Sequence, residues 1–407
     1  MLISVHPSIL GVSKYLVCDP ESGSYSWSSI SPADAWVFGD PSEVKSLDVI
    51  MKMGDIEIPQ IENSAHTRAF RTLMGNETPR LPWHKVLPAY RFQEMIQALV
   101  SSLTQALESF IGCAYGETFI AERAFLLGLS RARVDAQKLS KYLESEDNST
   151  VTSILNSFNP LADGTARPVV YDQTATSTGR LTVKSGPMIL TLPKKYRDLI
   201  TSEYDGGEII QLDFVSLEPR VARFISGNVP EMDVYNSISK ELFQGMLSRD
   251  QAKLAVLCAL YGASARRLQN MLGNDLNSVQ VIQGVKKYFG VAKLTNQLTY
   301  ALKDTGHMTN LFGRKLVPDR LDENVLVNHY IQSTSADVAL LGFQNVMNEL
   351  QDMDTGIKPL FVIHDALILD VPPSCSSKIR TLATKGIDVG GIGSFPLGLE
   401  VIRASGV

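Results

Sequence analysis

Residues 209–220 read IIQLDFVSLEPR, followed by SRDQAKLAVLCALYG at 248–262 and FVIHDALILDV at 361–371. The first stretch alternates like a strand. Ile210, Leu212 and Phe214 fall on one face, and Ile209, Gln211 and Asp213 on the other. The third reads as two apolar strands with a tight turn at His364-Asp365. Asp213 and Asp365 thus end or interrupt strand-like runs, and Lys253 lies on a helix-like segment between them. Carboxylate oxygens suit hard cations such as magnesium. A pair of such ions, about 3.5–4 Å apart, activates an attacking oxygen and stabilises a leaving one. Nearby cations neutralise phosphate charge. The trio has the composition of a metal-dependent phosphoryl-transfer site, and tertiary structure must unite its two distant aspartates.

The middle stretch carries its own punctuation. Ser248 followed by Gln251 is a capping-box pattern, and Gly262 sits where a C-terminal cap belongs. The expected helix spans Arg249–Tyr261, with Arg249, Lys253, Leu257 and Tyr261 at successive i+4 positions along one stripe. Two cations at one end and a ring at the other suit a nucleoside triphosphate laid along the helix. Taken alone, the helix reads better as an ordinary surface helix with a buried tyrosine.

The 407 residues allow two or more domains, and 44% hydrophobic with 20% charged residues is ordinary for a folded chain. No apolar run is long enough to span a bilayer, and MLISVHPSIL lacks the parts of a signal peptide. A cytoplasmic protein without a membrane role is expected. The four cysteines are scattered without a CxxC pair, against structural zinc or a disulfide framework. The net charge of −5 opposes nucleic-acid binding, but residues 1–64 hold nine Asp/Glu against three Lys/Arg, leaving the remainder near neutral. Within that remainder Arg180, Lys184, Lys194, Lys195 and Arg197 crowd one stretch, and Arg249, Lys253, Arg266 and Arg267 another. Local basic surface governs phosphate contacts.

Residues 1–88 read as a small acidic domain with strand pieces YLVC and AWVF, closed by Pro79, Pro82 and Pro88. Helical periodicity follows over Tyr90–Ile111, Glu117–Leu129 and Val134–Leu143, then a polar break at SEDNST. Short strands and turns begin near Asp163, and a mainly helical region runs from Leu217 to Leu350.

Together these stretches resemble the family A DNA polymerases. DFVSLEPRVA is similar to that family's motif A, RDQAKLAVLCALYG to motif B and VIHDAL to motif C. TSTGRL at 176–181, LFGRK at 311–315 and NHYIQSTSADVALL at 328–341 also fall in order, so the resemblance covers roughly residues 165–407. It implies an α+β right-hand fold: an antiparallel palm sheet, helical fingers and thumb, and a small N-terminal domain. The implied division is 1–88 N-terminal, 89–162 thumb-like, 163–220 and 326–407 palm, and 221–325 fingers. Asp213 and Asp365 would bind two magnesium ions, with manganese able to substitute. Arg249 and Lys253 would grip the triphosphate of an incoming dNTP, and Lys253 would donate a proton to pyrophosphate. Tyr261 would stack at the nascent pair, and Glu218 would crowd a ribose 2′-hydroxyl. Arg180, Asn328 and Gln332 would contact the minor groove of primer–template DNA, whose acceptors call for donors. His364 would support the primer terminus. Gln211, Asp337 and Asp370 read as structural.

Three positions depart from the family pattern. Ala366 stands where many relatives have a glutamate, Leu257 replaces an aromatic residue, and Asn324 occupies a frequent arginine position. Leu257 implies poor use of dideoxynucleotides. Asp19-Pro-Glu21 has the spacing of an exonuclease first motif but reads as an acidic turn, so no proofreading or flap nuclease is expected. The acidic segment is then a candidate contact for replisome partners, and the compact form suits a phage-type replicative enzyme. Two rivals remain at this point: a single-subunit RNA polymerase-like enzyme, and a non-catalytic replisome protein on a polymerase fold. Glu218 opposes the first, and the retained Asp213, Lys253 and Asp365 oppose the second.

Overall fold

The computed structural model describes residues 1–54, 56–57, 65, 68–69, 72–73, 82–273, 276–352 and 356–404. Pro79, expected at the exit of the N-terminal domain, lies outside them. The chain divides into two compact units, Met1–Leu127 and Gly128–Val407.

The first unit is built on a four-stranded sheet of β1 (Ile3–Val5), β2 (Tyr15–Asp19), β3 (Ser24–Ser28) and β4 (Trp36–Phe38), in the order β3-β2-β1-β4. The expected YLVC and AWVF pieces are β2 and β4; they read as strands because they are apolar. The polar β3, SYSWS, gives no such signal. Besides the short helices Pro7–Leu10, Leu47–Met53 and Trp83–Val86, the unit carries two longer ones, α1 (Ala89–Ile111) and α2 (Gly116–Leu127). Apolar residues recur along one stripe of α1, burying Ile96, Leu99, Leu103, Leu107 and Phe110. Phe110 meets Trp36 of β4 edge-on at 5.5 Å. The buried Arg123 of α2 donates to the carbonyls of Glu43 and Val44 at 3.0 and 3.1 Å. These contacts place the first two expected helices with the N-terminal sheet, while Ala136–Ser145 and Ser149–Asn156 fold with the second unit. The helix expected at Val134–Leu143 starts later, because Val134 pairs with Ile200 as a strand and Asp135 caps the helix through Lys138 N–H at 3.0 Å. Asp19-Pro-Glu21 is a turn: the Asp19 carboxylate accepts from Glu21 N–H at 3.1 Å and Ser22 Oγ at 2.7 Å.

The second unit centres on an antiparallel sheet of β5 (Glu208–Phe214), β6 (Lys358–Ile363), β7 (Ala366–Val371) and β8 (Leu397–Ala404), ordered β6-β7-β5-β8. Strand β7 lies inside the sheet and every residue is buried, which explains its continuous apolar run. Its one charge, Asp370, accepts from Ser202 Oγ and Glu203 N–H.

Between β5 and β6 the chain is mainly helical: α3 (Leu217–Ile225), α4 (Val234–Phe243), α5 (Arg249–Tyr261), Ala265–Leu272, Ser278–Tyr288, Val291–Thr305 and the long α6 (Glu323–Asp352). The helix α5 has the expected ends, with both capping-box bonds of Ser248 and Gln251 formed and Gly262 at φ 69°. It is buried at Ala252, Leu254, Ala255, Val256, Cys258, Ala259 and Leu260, within one core with the neighbouring helices. Helix α6 approaches the sheet at Gly342, where a Cβ would stand 2.6 Å from the Phe214 ring. Phe343 packs on the same ring at 5.1 Å between centroids. That close approach fixes α6, which carries Asn328 and Gln332, against the strand that carries Asp213.

Candidate active site

The register of the sheet unites the two aspartates. Asp213 pairs with Ala366, the residue after Asp365, and Phe214 N–H donates to the Asp365 carbonyl at 3.0 Å. Asp365 closes a two-residue turn between the paired Ile363 and Ala366. Its neighbour His364 takes a left-handed φ of 56°, a costly conformation for a non-glycine residue and one that clusters at functional sites. A second such residue, Ser216 at φ 55°, turns the chain from β5 into α3 and brings Glu218 into that helix's first turn.

Two carboxylates held together and partly buried resist ionisation together. Burial, then the Asp365 and Glu400 carboxylates, push Asp213 up to about 6, against the pull of Lys194 and Arg197. Burial and the Glu218 carboxylate push Asp365 up as well. Neither aspartate forms an ion pair among the described residues. Glu400 is a member of this environment that the sequence did not reveal. It lies on β8 opposite Gln211 and binds Lys194 at 2.7 Å, while Gln211 accepts from Arg197 at 2.9 Å. The only sequence signal for it is the alternation of β8, which cannot say which strand β8 joins.

Glu218 joins three segments of the site. One carboxylate oxygen accepts from Arg180 Nη2 and the other from the Tyr261 hydroxyl, both at 2.7 Å. Burial and the Glu218 charge hold the Tyr261 hydroxyl well above its ordinary value, so it remains a donor. Arg180, Glu218, Gln332, His364 and Asp365 line one cavity of about 320 Å³, with Leu217 and Ala336 among its apolar walls. The Arg180 segment is fixed from below. The buried Arg314 guanidinium, from the LFGRK turn, binds Asp337 of α6 at 2.8 Å and lies against Gly179. A Cβ on Gly179 would stand 2.4 Å from that guanidinium, and its φ is 74°. Asp337, Gln211 and Asp370 each bind another part of the fold, through Arg314, Arg197 and the Ser202-Glu203 segment respectively.

The α5 stripe is open. Arg249, Lys253 and Leu257 are exposed along a helix buried mainly from Ala252 onward, and Tyr261 is partly buried against Glu218. Lys253 makes no hydrogen bond or ion pair among the described residues. Among the described residues no hydrogen bond or ion pair joins these three to Asp213, Asp365 or Glu218, whereas Tyr261 links the stripe to the cavity through Glu218. Asn328, one turn before Gln332, has a buried Oδ1 without a hydrogen-bond partner among the described residues. Asn324 abuts Gly262, 3.1 Å from where its Cβ would stand, which places the C-terminal cap of α5 on the start of α6.

The sequence model of DNA polymerase family A matches residues 125–401. The thermostable DNA polymerase I of Thermus filiformis is 26% identical over 264 residues, covering 57% of this chain and 31% of its own length. DNA polymerase I of Treponema pallidum is 23% identical over 316 residues, covering 70% and 31%. The DNA polymerase of Mycobacterium phage D29 is 25% identical over 185 residues, covering 41% and 30%. The chain thus spans about a third of the length of these curated relatives. Among solved structures, the POL domain of Pol1 from M. smegmatis, in complex with DNA primer-template and dNTP, matches with a TM-score of 0.63 at 13% identity, covering 97% of this chain and 93% of that one. The α+β fold is that of a polymerase domain, and the chain belongs to DNA polymerase family A.

Proposed function

We propose that the protein is a template-directed DNA polymerase that adds dNTPs to a primer 3′ end. The observation that carries this is the pairing of Asp213 with the Asp365 turn at the head of the antiparallel sheet, beside the cavity shared by Arg180, Glu218, Gln332 and His364. In this reading β5 to β8 form the palm, 221–325 the fingers, and the helices within 89–162 a thumb-like region.

Two adjacent carboxylates with raised proton affinity and no ion pair suit a cation, and no cluster of three or more His, Cys, Asp or Glu ligands offers an alternative among the described residues. Magnesium commonly binds through one or two carboxylates, completed by water and substrate phosphates. Asp213 and Asp365 would hold two such ions, or manganese in their place. When bound, the ions supply charge for the attacking and leaving oxygens. Ala366 leaves this a two-carboxylate set.

The chain's own residues do the rest. Lys253, unpaired on an exposed stripe, and Arg249 hold the triphosphate, and Lys253 gives a proton to the departing pyrophosphate. Tyr261 offers its ring to the nascent pair while its hydroxyl fixes Glu218. Glu218, braced by Arg180 and Tyr261, occupies the space of a 2′-hydroxyl. Gln332, Asn328 and Arg180 supply minor-groove donors, and His364 supports the primer terminus. Positioning and charge are what this chemistry needs from a protein.

The acidic residues 1–64 are proposed as a contact for replisome partners, and a cytoplasmic role in phage-type replication is favoured by the likeness to the phage D29 enzyme. No helix among the described residues is long and apolar enough to cross a membrane. The test is extension of a labelled DNA primer with magnesium, with dNTPs or rNTPs, by wild type and Asp365→Ala. Extension with dNTPs alone, lost in the variant, supports the reading. Primer-independent RNA synthesis, or tight duplex binding without extension, would replace it with one of its rivals.

A further inference from the structure

Asp233 precedes the motif helix by sixteen residues and belongs to none of the family-like stretches. Its carboxylate performs two tasks. Oδ1 accepts from the backbone N–H of Tyr235 and Asn236, both at 3.1 Å, and so caps α4. Oδ2 accepts from Asn236 Nδ2 at 2.9 Å and from Arg249 Nε at 3.1 Å. The Tyr235 ring, buried in the helical core, lies 5.2 Å from the Arg249 guanidinium carbon. A carboxylate therefore holds the guanidinium at Nε, and a ring approaches its face. Among the described residues neither terminal nitrogen has a hydrogen-bond partner.

We propose that Asp233 is a positioning residue that presets Arg249 for the triphosphate of the incoming nucleotide, an inference that rests on the triphosphate role given to Arg249 above. A free arginine loses rotamer freedom when it grips phosphate, and one already held loses less. Asp233 engages Nε alone, so both terminal nitrogens stay available for the forked contact that guanidinium makes with phosphate oxygens. The opposite possibility is that the carboxylate competes with phosphate for Arg249. Both partners are substantially exposed, so their Coulomb attraction is screened, and the orientational effect outweighs it. The two accounts differ in sign.

The test compares Asp233→Ser and Asp233→Asn. Serine caps a helix as well as aspartate but is too short to reach Arg249. Asparagine caps equally well, but with its one oxygen on the cap it turns an NH2 donor toward Arg249 Nε and loses that bond. Single-nucleotide incorporation with magnesium and saturating primer–template gives kcat and KM for the dNTP, and fluorescence anisotropy gives duplex affinity. Asp233→Ser is expected to raise the KM by about two- to five-fold, the range of an exposed ion pair, with kcat and duplex affinity unchanged. Asp233→Asn, which also keeps the cap and loses the bond to Nε, is expected to raise the KM by a similar factor, and neither variant should add to the effect of Arg249→Ala. A KM that is unchanged or lower in Asp233→Ser overturns the inference, as does an increase that persists without Arg249. If Arg249→Ala alone leaves the KM unchanged, the triphosphate reading of Arg249 fails first and takes this inference with it.

Discussion

Asp213→Asn should stabilise the metal-free protein while destroying its activity. Burial and the Asp365 and Glu400 carboxylates hold Asp213 near 6. An ordinary aspartate titrates close to 4, and each tenfold displacement of a proton equilibrium is worth about 1.4 kcal/mol, so the ionised form carries a cost of up to about 3 kcal/mol. Below pH 4 the residue is protonated in both folded and unfolded chains, and the term is absent. Between pH 4 and 6 the folded chain binds the extra proton, so its stability falls as pH rises. Above pH 6 the penalty is fully present. Partial solvent access makes the figure a ceiling, and an advantage of about 1–3 kcal/mol at pH 7.5 is expected for the asparagine variant. That corresponds to about 2–6 °C in thermal midpoint for a unit of this size. Calorimetry in EDTA from pH 4 to 8 measures it, and millimolar magnesium should narrow the gap by stabilising wild type alone. A variant no more stable than wild type at pH 7.5, or a difference independent of pH, would refute the electrostatic account of the site.

Other consequences follow from single contacts. Leu257→Tyr places a ring and hydroxyl on the exposed stripe of α5 and should improve dideoxynucleotide use by about tenfold or more, a gain for a newly paired polar contact; competition between a dNTP and its ddNTP in primer extension reads this, and unchanged discrimination would dismiss the role given to Leu257. Asp337→Ala removes the carboxylate partner of the buried Arg314 guanidinium and should cost about 3–5 kcal/mol in urea unfolding. A loss below 1 kcal/mol would mean that the pair does not brace the Arg180 segment.

How much of this was legible follows from where the information lies. The ends of α5 are local, since Ser248, Gln251 and Gly262 specify its caps within one segment, and the expected and observed limits agree. The strand β5 and the hairpin at His364-Asp365 are local too, written in alternation and in an apolar run broken by two polar residues. The adjacency of Asp213 and Asp365 is not local: the residue types suggested one site, but only resemblance to a family implied how the two are brought together. Glu400 and Asp233 were missed for the same reason. The first acts across a strand pair and the second across a helix boundary, and neither leaves a mark in its own segment. The N-terminal sheet was half visible: β2 and β4 are apolar, whereas β1 is short and β3 is exposed and polar. The helices after residue 89 were visible by period, but their partition between two units was not. That partition depends on Trp36 meeting Phe110 and on Arg123 reaching the 41–44 loop.

The central claim is that Asp213 and Asp365 act as one catalytic pair. Single-turnover incorporation of one dNTP into a saturating primer–template, with magnesium, compares wild type with Asp213→Asn and Asp365→Asn, each checked for duplex affinity. The account expects both variants to lose about 10²–10³-fold or more in rate, with duplex binding retained. Either variant keeping a rate within tenfold of wild type would contradict it.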